Sequence, residues 1–551
     1  MSKRIIRNRR ARYGGMSVML TALLITVVVL FNSLFTTLAE RYSWYVSLNR
    51  TPEYPVTESC YTLLNTVLDG AEEKVEIIFC DTEKNLQSDA TMRYVYENAK
   101  SISERFSDKV TISYHNIWLD PKSVEKYAYV KSSTIVDTTM NDEADAEDSA
   151  ADGADEGIAD EGGATEDETA GDSAADELVR VSLKSTNVII ASGEYHRVYD
   201  LTEFFVFEDG DTSKLWAYNG EKKLAAGILH AVDQDGAVVG ITNNHGEVFY
   251  DYELLYLLDD AGYTIRYFNL YSDPIPDNCN LIITYNPNSD FTVKDENSET
   301  SETELLEAFL NVPGNAYLVF VENGTPVLPN LEAFLENWGV VTMSAQKGDY
   351  SYRYTMQDST QSLTSDGYTI YGQAAKGNAG EKWISGLEQR AVFPNATALH
   401  YANGFINNND GSYTKGNRTV YSLYTAGESA VAWAGGNTVS GGASAMLFAL
   451  SEQTNEGAKS SFVGVCASSD MLTEQFLQSA VHGNTDLMMR VFESFGKSNL
   501  PRGLTIKPFN STTISSVTTA EMWTWTLVMA LTPAVVITVA AWVVMAKRRR
   551  R

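Results

Sequence analysis

The sequence predicts an α/β protein: doubly wound, extracytoplasmic modules with mostly parallel sheets, set between one N-terminal and one C-terminal transmembrane helix. Three observations predict it. The stretch Ala237–Pro287 reads as strand, helix and strand with short joints, which makes a βαβ unit with a right-handed crossover. Strand and helix patterns alternate on both sides of that stretch, to about residue 345. Each end of the chain carries an apolar segment, 16–39 and 522–546, long enough to cross a hydrocarbon core of roughly 30 Å.

The ends set the expected topology. The net charge is −30, yet six basic residues fall in the first twelve positions and five close the chain. These clusters, tails 1–15 and 547–551, place both termini in the cytoplasm of a plasma (inner) membrane protein, with the body outside. A cleaved signal peptide is the rival reading of 16–39, because Thr37-Leu38-Ala39 fits a cleavage site. Its apolar run exceeds the ~7–15 residues such peptides use, which favours an anchor. The acidic body repels a phosphate backbone, so nucleic acid is excluded as a partner, while membrane lipid is expected to be one. Cys60, Cys80, Cys279 and Cys466 show no metal-site spacing and read as free or buried thiols, with a single disulfide left open.

In chain order, 40–235 is expected to form a first extracytoplasmic module. Thr57 is placed to cap a helix, Val75–Cys80 and Val110–Tyr114 read as strands, and Met92–Phe106 reads as a helix between them. Asn141–Glu177 holds sixteen acidic residues and no basic or aromatic ones, so it cannot bury enough apolar surface to order itself. It lacks the ligand spacing of a calcium loop. Ser182–Ala191 and His196–Leu201 then read as a hairpin, and Glu221–Val232 as a helix whose His230 is packed rather than catalytic. The central module spans 236–345, and 346–520 is a β-rich segment with closing α/β elements of the same body.

The chemistry centres on a turn. The strand Ala237–Ile241 ends in Asn243-Asn244-His245-Gly246-Glu247, at the carboxyl end where open α/β sheets bind ligands. Asn243, Asn244, His245 and Glu247, with Ser469 and Asp470 after a later strand, are the candidate ligand- or partner-binding residues. His245 and Glu247 would also suit acid–base work in an enzyme acting on envelope sugars or peptides. A third reading makes the turn a cap for a helix starting near Val248. Against catalysis, the chain has no HExxH, G-x-S-x-G or post-strand G-x-G-x-x-G. Gly496-Lys497-Ser498 follows a helix and lacks the earlier glycine of a phosphate loop, since position 491 is Val, so it reads as a helix end. No enzyme activity, cofactor or metal is expected.

Several phrases, taken in order, resemble one family. They are the strand ending in HGE, the turn Ala261-Gly262-Tyr263, IPDN followed by LII, the helix EKKLAAGI, AVFPNATALHY at Ala391–Tyr401, and Gly483-Asn484-Thr485-Asp486-Leu487 near the end. This series is similar to the GldG family, auxiliary subunits of bacterial ABC-type transport systems, and to modules in an intraflagellar transport protein and a non-catalytic oligosaccharyltransferase subunit. Ser468 and Met471 depart from the family's closing phrase, which argues against a metal or acid role there. The resemblance implies a non-catalytic auxiliary subunit of an export system, working with a separate ABC permease and ATPase and binding a partner, a substrate, or an envelope or carbohydrate ligand. A scaffold joining a transporter to the cell envelope is a further alternative.

Overall fold

In the computed structural model the described residues are 54–131 and 178–509, apart from short gaps at 209–210, 234–235, 248, 250, 295–300, 349 and 456, together with Trp523, Thr524 and Trp542. The chain divides into two units, Met1–Glu53 and Tyr54–Arg551, and the first lies outside the described residues. So do segment 16–39, nearly all of 522–546, both basic tails and the insertion 141–177. Among the described residues no helix is long and apolar enough to cross a membrane. The expected pair of transmembrane helices, and the membrane localisation built on them, therefore have no support and are withdrawn.

The first module begins with α1 (Glu58–Asp69), whose cap is Thr57 as the sequence suggests: its side chain accepts from the Cys60 amide. Strand β1 (Val75–Phe79), helix α2 (Met92–Arg105) and β2 (Val110–Tyr114) follow. Beyond the insertion come β3 (Val188–Ser192) and β4 (Tyr195–Tyr199), which turn back through Gly193. The sheet order is β2-β1-β3-β4, parallel only at β1–β2. The mostly parallel expectation fails here because a two-residue hairpin reverses the chain, whereas a parallel neighbour needs a crossover of a dozen residues or more. Helix α3 (Gly220–Val232) is buried nearly all round, against α1, α2 and β3 on one hand and the next module on the other.

The second module is one 12-stranded sheet. Its parallel part comprises β5 (Val238–Thr242), β6 (Thr264–Phe268), β7 (Cys279–Tyr285), β8 (Ala316–Phe320) and, late in the chain, β11 (Ser461–Cys466), after β9 (Arg418–Thr425) and β10 (Met446–Gln453). The order runs β6-β5-β7-β8-β11-β10-β9 before two short edge strands. From β6 to β11 every pair is parallel, and from β11 outward every pair is antiparallel. The sheet is thus mixed, not mostly parallel. Only seven residues join β10 to β11, too few for a crossover helix, so that pair must be antiparallel. Strands β8 and β11 are buried throughout, as expected for parallel strands covered on both faces. They share a core with Leu254 and Leu258 of α4 (Glu253–Asp260), Leu306 and Leu310 of α5 (Glu302–Leu310), Leu331 of α6 (Pro329–Asn337), and Leu487 and Phe492 of α7 (Asn484–Ser494).

Just past the end of α6, Gly339 has a φ of +90°, a conformation that side-chain-bearing residues rarely adopt. A methyl group there would meet Val420 Cγ2 at 2.4 Å and the Phe405 ring at 2.7 Å. Gly339→Ala is therefore expected to cost about 2–4 kcal/mol, left-handed strain plus overpacking, in a urea unfolding curve. A loss below about 1 kcal/mol would show that the junction of α6 with the antiparallel half relaxes freely.

Candidate functional site

Strand β5 is the first of the parallel set, and its successors lie on opposite sides of it: β6 on one, β7 on the other. That reversal makes the crevice between the carboxyl ends of β5 and β7 the switch point where doubly wound sheets receive ligands. Here the chain fills the crevice itself. Thr242 and Thr284 close the base, their hydroxyls 2.9 Å apart. His245 lies flat on Phe291, ring centroids 3.9 Å apart and planes within 10°.

The imidazole sits between two carboxylates. Nδ1 is 3.1 Å from Glu247 Oε1, and Nε2 is 3.2 Å from Glu302 Oε1. A neutral ring has one N–H and would set a lone pair against one carboxylate, so the imidazolium is the form that satisfies both. Burial pulls the His245 pKa down, but the hydrogen bonds to Glu247 and Glu302 outweigh it and raise it from 6.5 to about 9. Burial likewise raises Glu302, and donation from His245, the Thr292 amide and Asn244 overcomes it, leaving the acid at about 2. Every carboxylate oxygen is used. Glu247 also takes the Thr242 hydroxyl at 2.6 Å and the His245 amide at 2.7 Å. Glu302 takes Asn244 Nδ2 and the Thr292 amide, both at 2.6 Å. His245, Glu247 and Glu302 are 1%, 6% and 1% exposed.

The capping reading of the turn does not hold. Helix α4 starts at Glu253, five residues beyond Val248, and no side chain caps it at Tyr252. Asp251 accepts from the Glu253 amide at 3.1 Å instead. Of the six candidate residues, the structure joins Asn244, His245 and Glu247 in one cluster and leaves Asn243 exposed at its rim. Ser469 and Asp470 lie at the same sheet edge but after β11, with β7 and β8 between, about 14 Å away at three strand spacings. Ser469 donates to Glu322 Oε2 at 2.5 Å, and Asp470 accepts from Asn395 at 2.6 Å.

Glu302, Phe291 and Glu322 are the members that sequence reasoning missed. Glu302 is hard to read because it follows a polar, acidic stretch with no apolar periodicity. Ser301, which accepts from the Glu304 amide at 3.2 Å, is the cap signal that would have placed Glu302 in the first turn. Among the described residues no group of three or more His, Cys, Asp or Glu is placed to hold a metal ion. The two glutamates here flank opposite ring nitrogens, so their donors do not converge on one point. Lys497 of the Gly-Lys-Ser sequence is buried and donates to the Gly262 carbonyl at 2.7 Å, just beyond the end of α7. The four cysteines are free.

No family model matches the chain, and no curated protein matches it, so the GldG and ABC-transporter labels gain no support and are withdrawn as descriptions of the chain. Among solved structures, one named "mmIFT52 N-terminal domain" is similar over 48% of this chain and 98% of its own length, at 16% identity and a TM-score of 0.34. A likeness of that size carries no inference about fold or role.

Proposed function

We propose that the chain is a non-catalytic accessory subunit that binds a partner or substrate, and that the carboxyl-terminal rim of the parallel strands is its recognition surface. One observation carries the reading: the acid–base residues at the switch point are spent on one another. An imidazolium held by two carboxylates, its face covered by Phe291, has no free lone pair to take a proton from a substrate. The cluster instead stiffens the turn that presents Asn243 and Gly246, both exposed, beside Asn288, whose side chain donates to the Gly246 carbonyl at 2.8 Å. The first partner class to test is a separate ABC-type permease and ATPase, the set that the sequence phrases imply.

The test has two arms. The full-length chain, affinity-purified from its own cells, is expected to bring down a permease and an ATPase, and Asn243→Arg to reduce their recovery. The purified chain is expected to hydrolyse neither ATP nor envelope sugars or peptides. Recovery of neither subunit would sink the export assignment. A hydrolase activity that His245→Gln lowers by a hundred-fold or more would replace the binding reading with the enzymatic one.

A further inference from the structure

Where the first module meets the second, the structure holds a cavity of about 560 Å³, away from the His245 cluster. Its walls come from β4 (Arg197, Tyr199), the short helical turn Leu201–Phe204 (Glu203), the start of α3 (Asn219, Lys223), α4 (Glu253, Tyr256, Asp259) and the closing segment (Gln478). That volume suits a small molecule.

The lining is unbalanced in charge. Four carboxylates, Glu203, Glu253, Asp259 and Glu474, face two cations, Arg197 and Lys223. Both cations are already committed: Arg197 to Asp259 and Lys223 to Asp260, each at 2.8 Å. Glu203 has one hydrogen bond, from the Asp200 amide at 2.8 Å, and Glu253 has one, from Gln478 at 2.8 Å. Burial raises both acids, Glu253 to about 7; Lys223 and Arg197 pull Glu203 down and Lys222 pulls Glu253 down, but none of them makes a direct ion pair with either acid and burial wins. Two further polar atoms in the lining residues have no partner: Asn219 Oδ1 and the Tyr199 hydroxyl, in side chains 4% and 3% exposed. Orphaned groups at this depth are uncommon; the Tyr199 hydroxyl lies against Gly227, and Asn219 Oδ1 is an acceptor that lacks a donor. Phe207 and Tyr256 complete the wall; Phe205 stacks on Phe509, and the Lys223 ammonium lies 5.8 Å from the centre of the Tyr256 ring, an aromatic surface that accepts an ammonium group.

We infer that this inter-module cavity is a binding site for a small organic cation, a primary ammonium on an apolar or aromatic body. The ammonium is placed at Glu203, Glu253 and Asn219, and the body lies along Phe207 and Tyr256. The site is independent of the recognition surface proposed above, and of whether an export system is the partner.

Calorimetric titration of the full-length chain with tyramine and with cadaverine tests it. At least one is expected to bind saturably with one site per chain. Glu253→Gln and Glu203→Gln, which keep shape and remove charge, are each expected to weaken that binding ten-fold or more, and 4-hydroxyphenylacetate, an acid with tyramine's ring, is expected not to bind. Should either glutamine variant lose its cooperative melt, Asn219→Leu, which removes the orphaned acceptor together with its amide group, is expected to weaken binding at least three-fold. Binding of neither amine overturns the proposal. So does equal binding of the acid, or amine binding untouched by the folded variants. The titration reads no partner protein, so its failure leaves the pull-down result standing, and the reverse also holds.

Discussion

His245→Ala is expected to lower the unfolding free energy by roughly 3–5 kcal/mol, far more than loss of a surface histidine would. The alanine leaves Glu247 and Glu302 buried and facing a void, with their shared cation gone. It also removes the ring that covers Phe291. The sign of the pH dependence gives a second readout. His245 is raised from 6.5 to about 9, so its contribution is fully present below pH 6.5 and is lost as the pH climbs through 9. Glu302 is lowered from 4.5 to about 2, so its share is present above pH 4.5 and is lost as the pH falls through 2. The cluster thus contributes fully between pH 4.5 and 6.5 and weakens on the alkaline side, by on the order of 2 kcal/mol up to pH 9. Urea unfolding across that range should show the decline in the natural chain and its absence in His245→Ala. A variant as stable as the natural chain, with the same alkaline slope, would mean that the imidazole is neutral and the ion cluster is not what holds the turn.

Much of the fold was legible because local patterns and tertiary demands agree. The βαβ stretch was readable from Ala237 to Pro287: β5, α4, β6 and β7 all form, and Gly262 turns the chain after the helix in the left-handed conformation, at φ +78°. Parallel strands, buried on both faces, are written as continuous apolar runs, and Leu281–Tyr285 and Ala316–Phe320 are such runs. What failed was pairing direction. An apolar run such as Met446–Leu450 reads the same whether its neighbour is parallel or antiparallel, and only the short joint to β11 decides. The site was half legible for a related reason. His245 and Glu247 stand two residues apart in one turn, but Glu302 arrives from 57 positions on, and no local signal ties a first-turn glutamate to a distant imidazole. The charges of α3 were hidden altogether. Glu221, Lys222 and Lys223 look like a solvated helix start, yet they are 3%, 6% and 6% exposed, because two modules close over that helix.

Those lysines carry the other large effect, at Asp260→Ala. Asp260 lies at the end of α4 and receives two ammonium groups from α3, Lys222 on Oδ2 and Lys223 on Oδ1, each at 2.8 Å. All three side chains are 7% exposed or less. Burial alone would raise the Asp260 pKa; Lys222 and Lys223 more than reverse that and hold it far below its ordinary 3.8. Its contribution is therefore present above pH 3.8 and is lost only as the pH falls well beneath it. Removing the carboxylate strands two cations in a medium where each needs a partner, so a loss of about 3–5 kcal/mol is expected, and possession of two partners argues for the upper end. Asp260→Asn, which keeps shape and one acceptor, should fall between. The informative variant is the triple exchange Asp260→Leu with Lys222→Met and Lys223→Met. If the penalty is the unpaired charge and not lost packing, the apolar triple recovers most of the stability, because a buried ion network is often no better than a well-packed apolar one. A triple variant as unstable as Asp260→Ala would instead show that the ion pairs themselves hold α3 against α4. The junction between the modules, with the cavity lined by Lys223, would then depend on charge and not on fit.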